Sequence, residues 1–362
     1  MTHNRFVAPL SALMRGVMSK LPGGRQLQTE IDHLSRQRAR LDERAATIQR
    51  RTASQQLDPN ILRGVLRARH AAMRQHDDSA RIARDAAFAA ISDSYRAALL
   101  SSAPTDAEQI SVDGLTWWVP RSATTTPNDT GSFQRQIPFE EILQARELAV
   151  GRAMIDIGAN VGMTAIPRVV LGDFDHVYAA EADPLNYACL VRNVVDNGLR
   201  GRVLPDHVAL GDADGTLLLQ HERSGTHHLV HGTVATGRTA TEVRCLMLDT
   251  WLEQLHVAPA TVGFIKCDTQ GWEARVLAGA RGVLACRHIA WQIEFNPSML
   301  KRAGTGAGEF FDLIRTHFTH FIDLRGDDGQ RLRGTGEMAA ALAYVGAGTR
   351  SYTNLMLFNM SQ

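Results

Sequence analysis

The chain has 362 residues, 44% of them hydrophobic and 21% charged, a balance that supports a folded core and excludes a fibrous repeat or a wholly disordered polymer. A formal net charge of +1 removes any global electrostatic case for nucleic acid. The charge is uneven, because residues 1–100 hold 17 Lys and Arg against 9 Asp and Glu, a net of +8, while the remainder holds 22 against 29, a net of −7.

Arg15 and Lys20 interrupt the first apolar stretch, which makes it a poor signal peptide, and no run has the length of a transmembrane helix. A cytoplasmic protein is the expectation. From Leu27 to Ile48 the positions Leu27, Ile31, Leu34, Leu41, Ala45 and Ile48 follow steps of four and three, with Arg38 in the gap. That stripe predicts a helix that packs on its own domain or forms a homodimer through a short coiled coil. Asp58 as cap and Pro59 in the first turn open a second helix with Ile61, Leu62, Val65 and Leu66 on its apolar face, and a third is expected from Ser79 to Leu100. Residues 1–104 therefore read as a helical N-terminal domain. Residues 105–135 read as a strand or hairpin around Trp117 and Trp118, followed by a polar link.

Over residues 136–362 short apolar segments alternate with helical ones, the pattern of an α/β domain. Strands are predicted at 153–157, 176–180, 203–208, 263–267, 289–294, 318–323 and 353–358. Cys189, Cys245, Cys267 and Cys286 have no metal-ligand spacing and read as free thiols.

The segment Met154 to Pro167 is the strongest local feature. A buried strand ends near Asp156, and Gly158 and Gly162 then allow a tight turn before a helix. About 25 residues on, the next strand ends in Glu181, suited to accept hydrogen bonds from two ribose hydroxyls. A dinucleotide would want the G-x-G-x-x-G turn against its pyrophosphate, which Gly158-Ala159-Asn160-Val161-Gly162 does not supply. An acidic residue just before the turn suits a cationic methionine portion better than phosphate. S-adenosylmethionine is thus favoured over NAD.

On these residues the chain resembles the FkbM-type class I methyltransferases. The resemblance is carried by Asp156 to Gly162, then Glu181-Ala182-Asp183-Pro184, Val208-Ala209-Leu210-Gly211-Asp212, Ile265 to Glu273 followed by Val276-Leu277, and Ile293-Glu294-Phe295. It implies a Rossmann-like core with a mostly parallel seven-stranded sheet and an antiparallel last strand, S-adenosylmethionine as donor, and a hydroxyl acceptor on a sugar, glycan or secondary metabolite. Carried over by position, it assigns Asp156, Gly158, Ala159, Asn160 and Gly162 to the methionine portion, Glu181 to the ribose with Ala182 beside it, and Val208 and Ala209 to the adenine wall, with Asp206 and His207 just before them and Asp183 supporting that wall from the other side. Where many relatives have an acid, this chain has Gln270.

Methyl transfer to oxygen is an in-line displacement, so the protein must align two reactants and accept a hydroxyl proton. Asp268 and Glu294 each end a predicted strand on the edge where α/β folds collect ligands, and they are the first candidates for base and acceptor positioning. Glu273 serves either the acceptor or the first turn of a helix, and Lys266 either pairs with a carboxylate or points outward. His227, His228 and His231 in the loop 224–232 are candidates for proton transfer or acceptor contact, and their grouping also invites a metal reading. The expectation is a small-molecule or glycan acceptor, with no metal and no nucleic acid. The rivals are an NAD-dependent oxidoreductase or epimerase in the same crevice, and an inactive scaffold.

Overall fold

The computed structural model describes residues 87, 90, 93–101, 104–112, 115–121, 153–170, 173–221, 228–230, 239–326, 331–348 and 350–360. The expected helices before residue 87 and the link at 122–135 lie outside the described residues. Ser111–Leu115 belong to one compact unit, and the other described residues to a second one that contains the main sheet and the cavity.

In chain order the strands are β1 (Ala107–Val112), β2 (Leu115–Pro120), β3 (Ala153–Ile157), β4 (His176–Glu181), β5 (Val203–His207), β6 (Ala209–Gly211), β7 (Gly215–Gln220), β8 (His228–Val230), β9 (Ala240–Met247), β10 (Val262–Cys267), β11 (Ala290–Phe295), β12 (His320–Asp323), β13 (Leu332–Gly334) and β14 (Thr353–Phe358). Strands β3, β4, β10, β11 and β14 are buried along their whole length, which is why they read as continuous apolar runs without alternation.

The main sheet has the order β13-β12-β14-β11-β10-β3-β4-β5. Pairs β3/β4, β4/β5, β3/β10 and β10/β11 are parallel, and β14 runs antiparallel to both β11 and β12. The antiparallel last strand is as expected. The count of seven is corrected to eight, because three-residue β13 pairs antiparallel with the edge strand β12. Its sequence, Leu-Arg-Gly, is half-buried and too short to carry a periodicity. A second sheet of order β6-β9-β7-β8 flanks the first, and β8 places His228 in a strand where a loop was expected.

The chain enters β3 and leaves on one side to β4, while β10 pairs on the other side. That reversal opens a crevice at the C-terminal strand ends. Helix Pro184–Asp196 borders it, started by Asp183, whose Oδ1 accepts from the N–H groups of Leu185 (2.9 Å) and Asn186 (2.8 Å). Buried Asn193 on this helix donates from Nδ2 to the carbonyls of Trp118 (3.1 Å) and Val161 (2.8 Å), tying β2 to the turn after β3. Helix Asp93–Leu100 packs on the same helix and on β5 with Tyr95 buried, so the end of the expected N-terminal domain is part of the core. All four cysteines are free thiols, as expected. No helix among the described residues is long and apolar enough to cross a membrane.

Candidate active site

A cavity of about 730 Å³ opens over the ends of β3, β4, β10 and β11, within the range of small-molecule sites. One wall begins at Gly158. Its φ of +76° belongs to the left-handed region, and a Cβ there would lie 2.0 Å from the Asp268 carbonyl oxygen, so only glycine lets the two strand ends close on each other. The N–H groups of Gly158 and Ala159 both donate to the Ala180 carbonyl at 3.0 Å, drawing the turn across β4. Asn160, also at positive φ, donates its N–H to Glu181 Oε2 at 2.7 Å, and the Asp183 N–H reaches Oε1 at 2.8 Å. Glu181 is buried, and burial pushes its carboxyl up to about 7 against the pull of these two donors. Ala182, Val208, Ala209 and Leu210 continue this wall, with Leu219 and Leu229 from the second sheet adding apolar surface.

The opposite wall is built around charge. Lys266 Nζ lies 3.5 Å from Asp156 Oδ1 and 3.4 Å from Asp268 Oδ2. Burial alone would lower the lysine, but the Asp268 and Asp156 carboxylates outweigh it and hold the ammonium charged. Asp156, fully buried, is raised by burial and eased by Lys266. Gln270 Nε2 donates to Asp268 Oδ1 at 3.2 Å, from a backbone held at φ 58°. Glu294 ends β11 with 7% exposure, and its Oε2 has no hydrogen-bond partner among the described residues. Burial first, then the Asp268 and Glu273 charges, pushes Glu294 up to about 9. These causes all favour its protonated form. Asp268, Glu273 and Glu294 offer three oxygens within 4.8 Å of one another, a hard-donor set of the kind that could hold a divalent cation.

The cavity brings together Gly158, Ala159, Asn160, Glu181, Ala182, Val208, Ala209, Lys266, Asp268, Gln270 and Glu294 from the expected set. Four expected residues do not line it. Asp156 lies beneath, against Lys266; Gly162 packs on Leu190 and Ile166; Asp183 caps its helix and pairs with His221 at 3.3 Å. Glu273 Oε1 accepts from Thr269 N (2.8 Å), Thr269 Oγ1 (3.1 Å) and Gly271 N (3.2 Å), so its carboxylate closes the loop after β10, and burial pushes it up to about 7. Asp206 is likewise structural, receiving Arg244 and Trp251 Nε1 at 2.8 Å each, and His207 stacks on Tyr187. His227 and His231 lie outside the described residues, as does the side chain of His228. Sequence reasoning missed Met163, Thr164, Asn186, Asn296, Met299, Arg325, Ser351, Tyr352 and Asn354 on the cavity wall. Of these, Met163 and Thr164 fall within the Met154 to Pro167 segment, and Asn296 carried the Asn-Pro pair that caps helix Pro297–Arg302.

Residues 156–324 match the family model of the methyltransferase FkbM domain. Among solved structures, methyltransferase FkbM from Methylobacillus flagellatus KT is 16% identical at a TM-score of 0.33, with 57% of this chain and 44% of that chain covered. The present chain thus spans less than half of that protein's length. TYW2 of P. horikoshii in complex with MeSAdo is 12% identical at a TM-score of 0.35, covering 72% of each chain. M. capricolum TrmK, in complex with the natural cofactor product S-adenosyl-homocysteine, is 13% identical at a TM-score of 0.32, covering 61% of this chain and 68% of that one. No curated protein matches the chain.

Proposed function

We propose that this chain, whose residues 156–324 match the family model of the methyltransferase FkbM domain, is an S-adenosylmethionine-dependent O-methyltransferase acting on a hydroxyl of a sugar, glycan or secondary metabolite. The observation that carries this reading is one cavity with two unlike walls, a buried carboxylate beside a glycine turn on one side and the Lys266–Asp268–Glu294 group on the other. The first wall fits the donor. Each oxygen of Glu181 uses one lone pair on a backbone N–H and keeps another for a ribose hydroxyl, and Val208 and Ala209 offer apolar surface to a base.

Bound S-adenosylmethionine supplies an already activated methyl group. The chain's part is alignment and proton handling. Asp268 Oδ2, held by Lys266, and Oδ1, held by Gln270, form the base that takes the acceptor hydroxyl proton. Glu294, protonated at neutral pH, donates a hydrogen bond that orients the acceptor oxygen. The ion pairs of Lys266 with Asp156 and Asp268 keep the base from drifting as charge changes.

A homodimer through residues 27–48 and a cytoplasmic location are part of the same proposal, supported by the apolar stripe and the free thiols. Calorimetric titration with S-adenosylmethionine tests the core of it, with NAD run beside it and Glu181→Gln as control. Saturable donor binding that weakens in the variant is expected. NAD binding alone, or neither ligand binding to folded protein, would overturn the reading.

A further inference from the structure

Two side chains beside Glu294 carry hydrogen-bond donors that the proposed transfer does not use. Asn296 directly follows β11, two positions after Glu294, and its extended backbone (φ −125°, ψ 98°) keeps both side chains on one face of the strand. Phe295 between them takes the other face, stacked on Phe310 with ring centres 5.9 Å apart. Asn296 is 5% exposed and lines the cavity. Its Oδ1 accepts from the Met299 N–H (3.3 Å) and from Ser298 Oγ (2.8 Å), and because only the oxygen of an amide accepts, these bonds fix which end is Nδ2. The two Nδ2 hydrogens have no partner among the described residues.

Tyr352 supplies the second donor. In the antiparallel ladder of β11 and β14, Glu294 stands opposite Asn354 and Phe295 opposite Thr353, so the next position outward sets Asn296 opposite Tyr352. Residues so placed have Cβ atoms about 5 Å apart. Tyr352 also lines the cavity, and its hydroxyl accepts from Arg325 Nη1 at 2.6 Å. A guanidinium can only donate, so what the phenol has left to offer is its own hydrogen. The strand order puts β11 three spacings from β4 and β14 four, roughly 14 and 19 Å at about 4.8 Å each, so both donors lie away from the Glu181 wall, on the side of the acceptor.

We propose that Asn296 Nδ2 and the Tyr352 hydroxyl together bind an uncharged carbonyl oxygen on the acceptor, so that the preferred acceptor carries an acyl group, as in an acetamido sugar or an ester, near the hydroxyl that takes the methyl group. A carbonyl oxygen has two lone pairs and no hydrogen, which two neutral donors match. A hydroxyl in the same place would bring a hydrogen that neither group accepts. A carboxylate there would give up its hydration for two donors that carry no charge. The proposal rests on the methyltransferase reading for the identity of the acceptor, whereas the carbonyl site itself can be tested without turnover.

The test titrates N-acetylglucosamine, the methyl ester of glucuronate, glucuronate and glucose into wild type, Asn296→Ser and Tyr352→Phe, each with and without S-adenosylhomocysteine. At least one of the two carbonyl sugars is expected to bind about tenfold or more tighter than glucose to the wild type. Whichever of them binds tighter identifies an amide or an ester as the group recognised. Serine caps a helix about as well as asparagine but has no amide donors, so Asn296→Ser is expected to erase the preference with S-adenosylhomocysteine affinity within about twofold. Tyr352→Phe removes a single oxygen and is expected to cut the preference about fivefold, and it decides alone should Asn296→Ser not fold. Equal binding of glucose, tighter binding of glucuronate than of either carbonyl sugar, a preference that survives in a folded variant, or no binding of any of the four would overturn the proposal. Loss of S-adenosylhomocysteine binding in a folded variant would overturn it too, by assigning that residue to the donor. Failure of the wild type to bind S-adenosylhomocysteine would sink the methyltransferase reading, while the titrations without it still decide the carbonyl site.

Discussion

The two walls of the cavity are made differently. The Glu181 wall is assembled from short contiguous segments that follow β3, β4 and β5, and backbone N–H groups fix its key side chain. The Asp268 wall joins the ends of β10, β11, β12 and the approach to β14, and charged side chains fix one another. A wall held by backbone tolerates variation around it, whereas a wall of mutually dependent charges titrates and fails as a group.

The sharpest way to break the comparison is to remove the proposed base. Asp268→Asn keeps the shape and loses the proton acceptor, so kcat in a methyl-transfer assay is expected to fall by about a thousandfold with donor affinity little changed. A loss seen mainly in donor affinity would mean that the two walls do not divide the work.

The Glu181 wall should respond in binding. Glu181→Ala is expected to weaken S-adenosylmethionine by roughly 10- to 100-fold, the worth of hydrogen bonds to a charged group, read by calorimetry. Because burial holds Glu181 near 7 and ribose hydroxyls favour the ionised form, wild-type affinity should also fall as pH drops below about 7, and Glu181→Gln should flatten that dependence.

Glu294 offers a pH test of the opposite wall. Its carboxyl is raised from 4.5 to about 9, so the folded state holds the proton more tightly than the unfolded chain. The resulting stability is fully present below about 4.5 and is lost as pH rises through about 9. Thermal melts from pH 5 to 9.5 should therefore show an alkaline decline that is smaller in Glu294→Gln. Activity should share that alkaline limb, and a decline of equal size in the variant would remove Glu294 from the mechanism.

The smallest effect expected is that of chelation. Lys266 already brings a positive charge to Asp268, so methyl transfer measured in EDTA should stay within about twofold of the untreated rate. A large loss restored by magnesium would instead assign Asp268, Glu273 and Glu294 to a cation.

Much of the β3 and β4 region could be read in advance. The limits of β3 and β14 coincide with the predicted strands, and Gly158, Glu181, Val208 and Ala209 line the cavity. The errors there have local causes. Asp183 sits before a proline, and that placement serves a helix cap better than a ligand. Glu273 sits two residues after a glycine turn, where the free N–H groups of the loop claim its carboxylate. Arg325 and Tyr352 could not be read, because no spacing in the chain announces that residues 27 positions apart stack and share a hydrogen bond.

The sequence by itself determined the α/β class and the glycine turn, since continuous apolar runs and a residue free to take positive φ are properties of neighbouring positions. Only the tertiary structure decided which carboxylates act on the cavity and which hold the fold. Burial, and the charge that strand order sets beside each group, separate Asp268 and Glu294 on the wall from Asp156, Asp183 and Glu273 behind it.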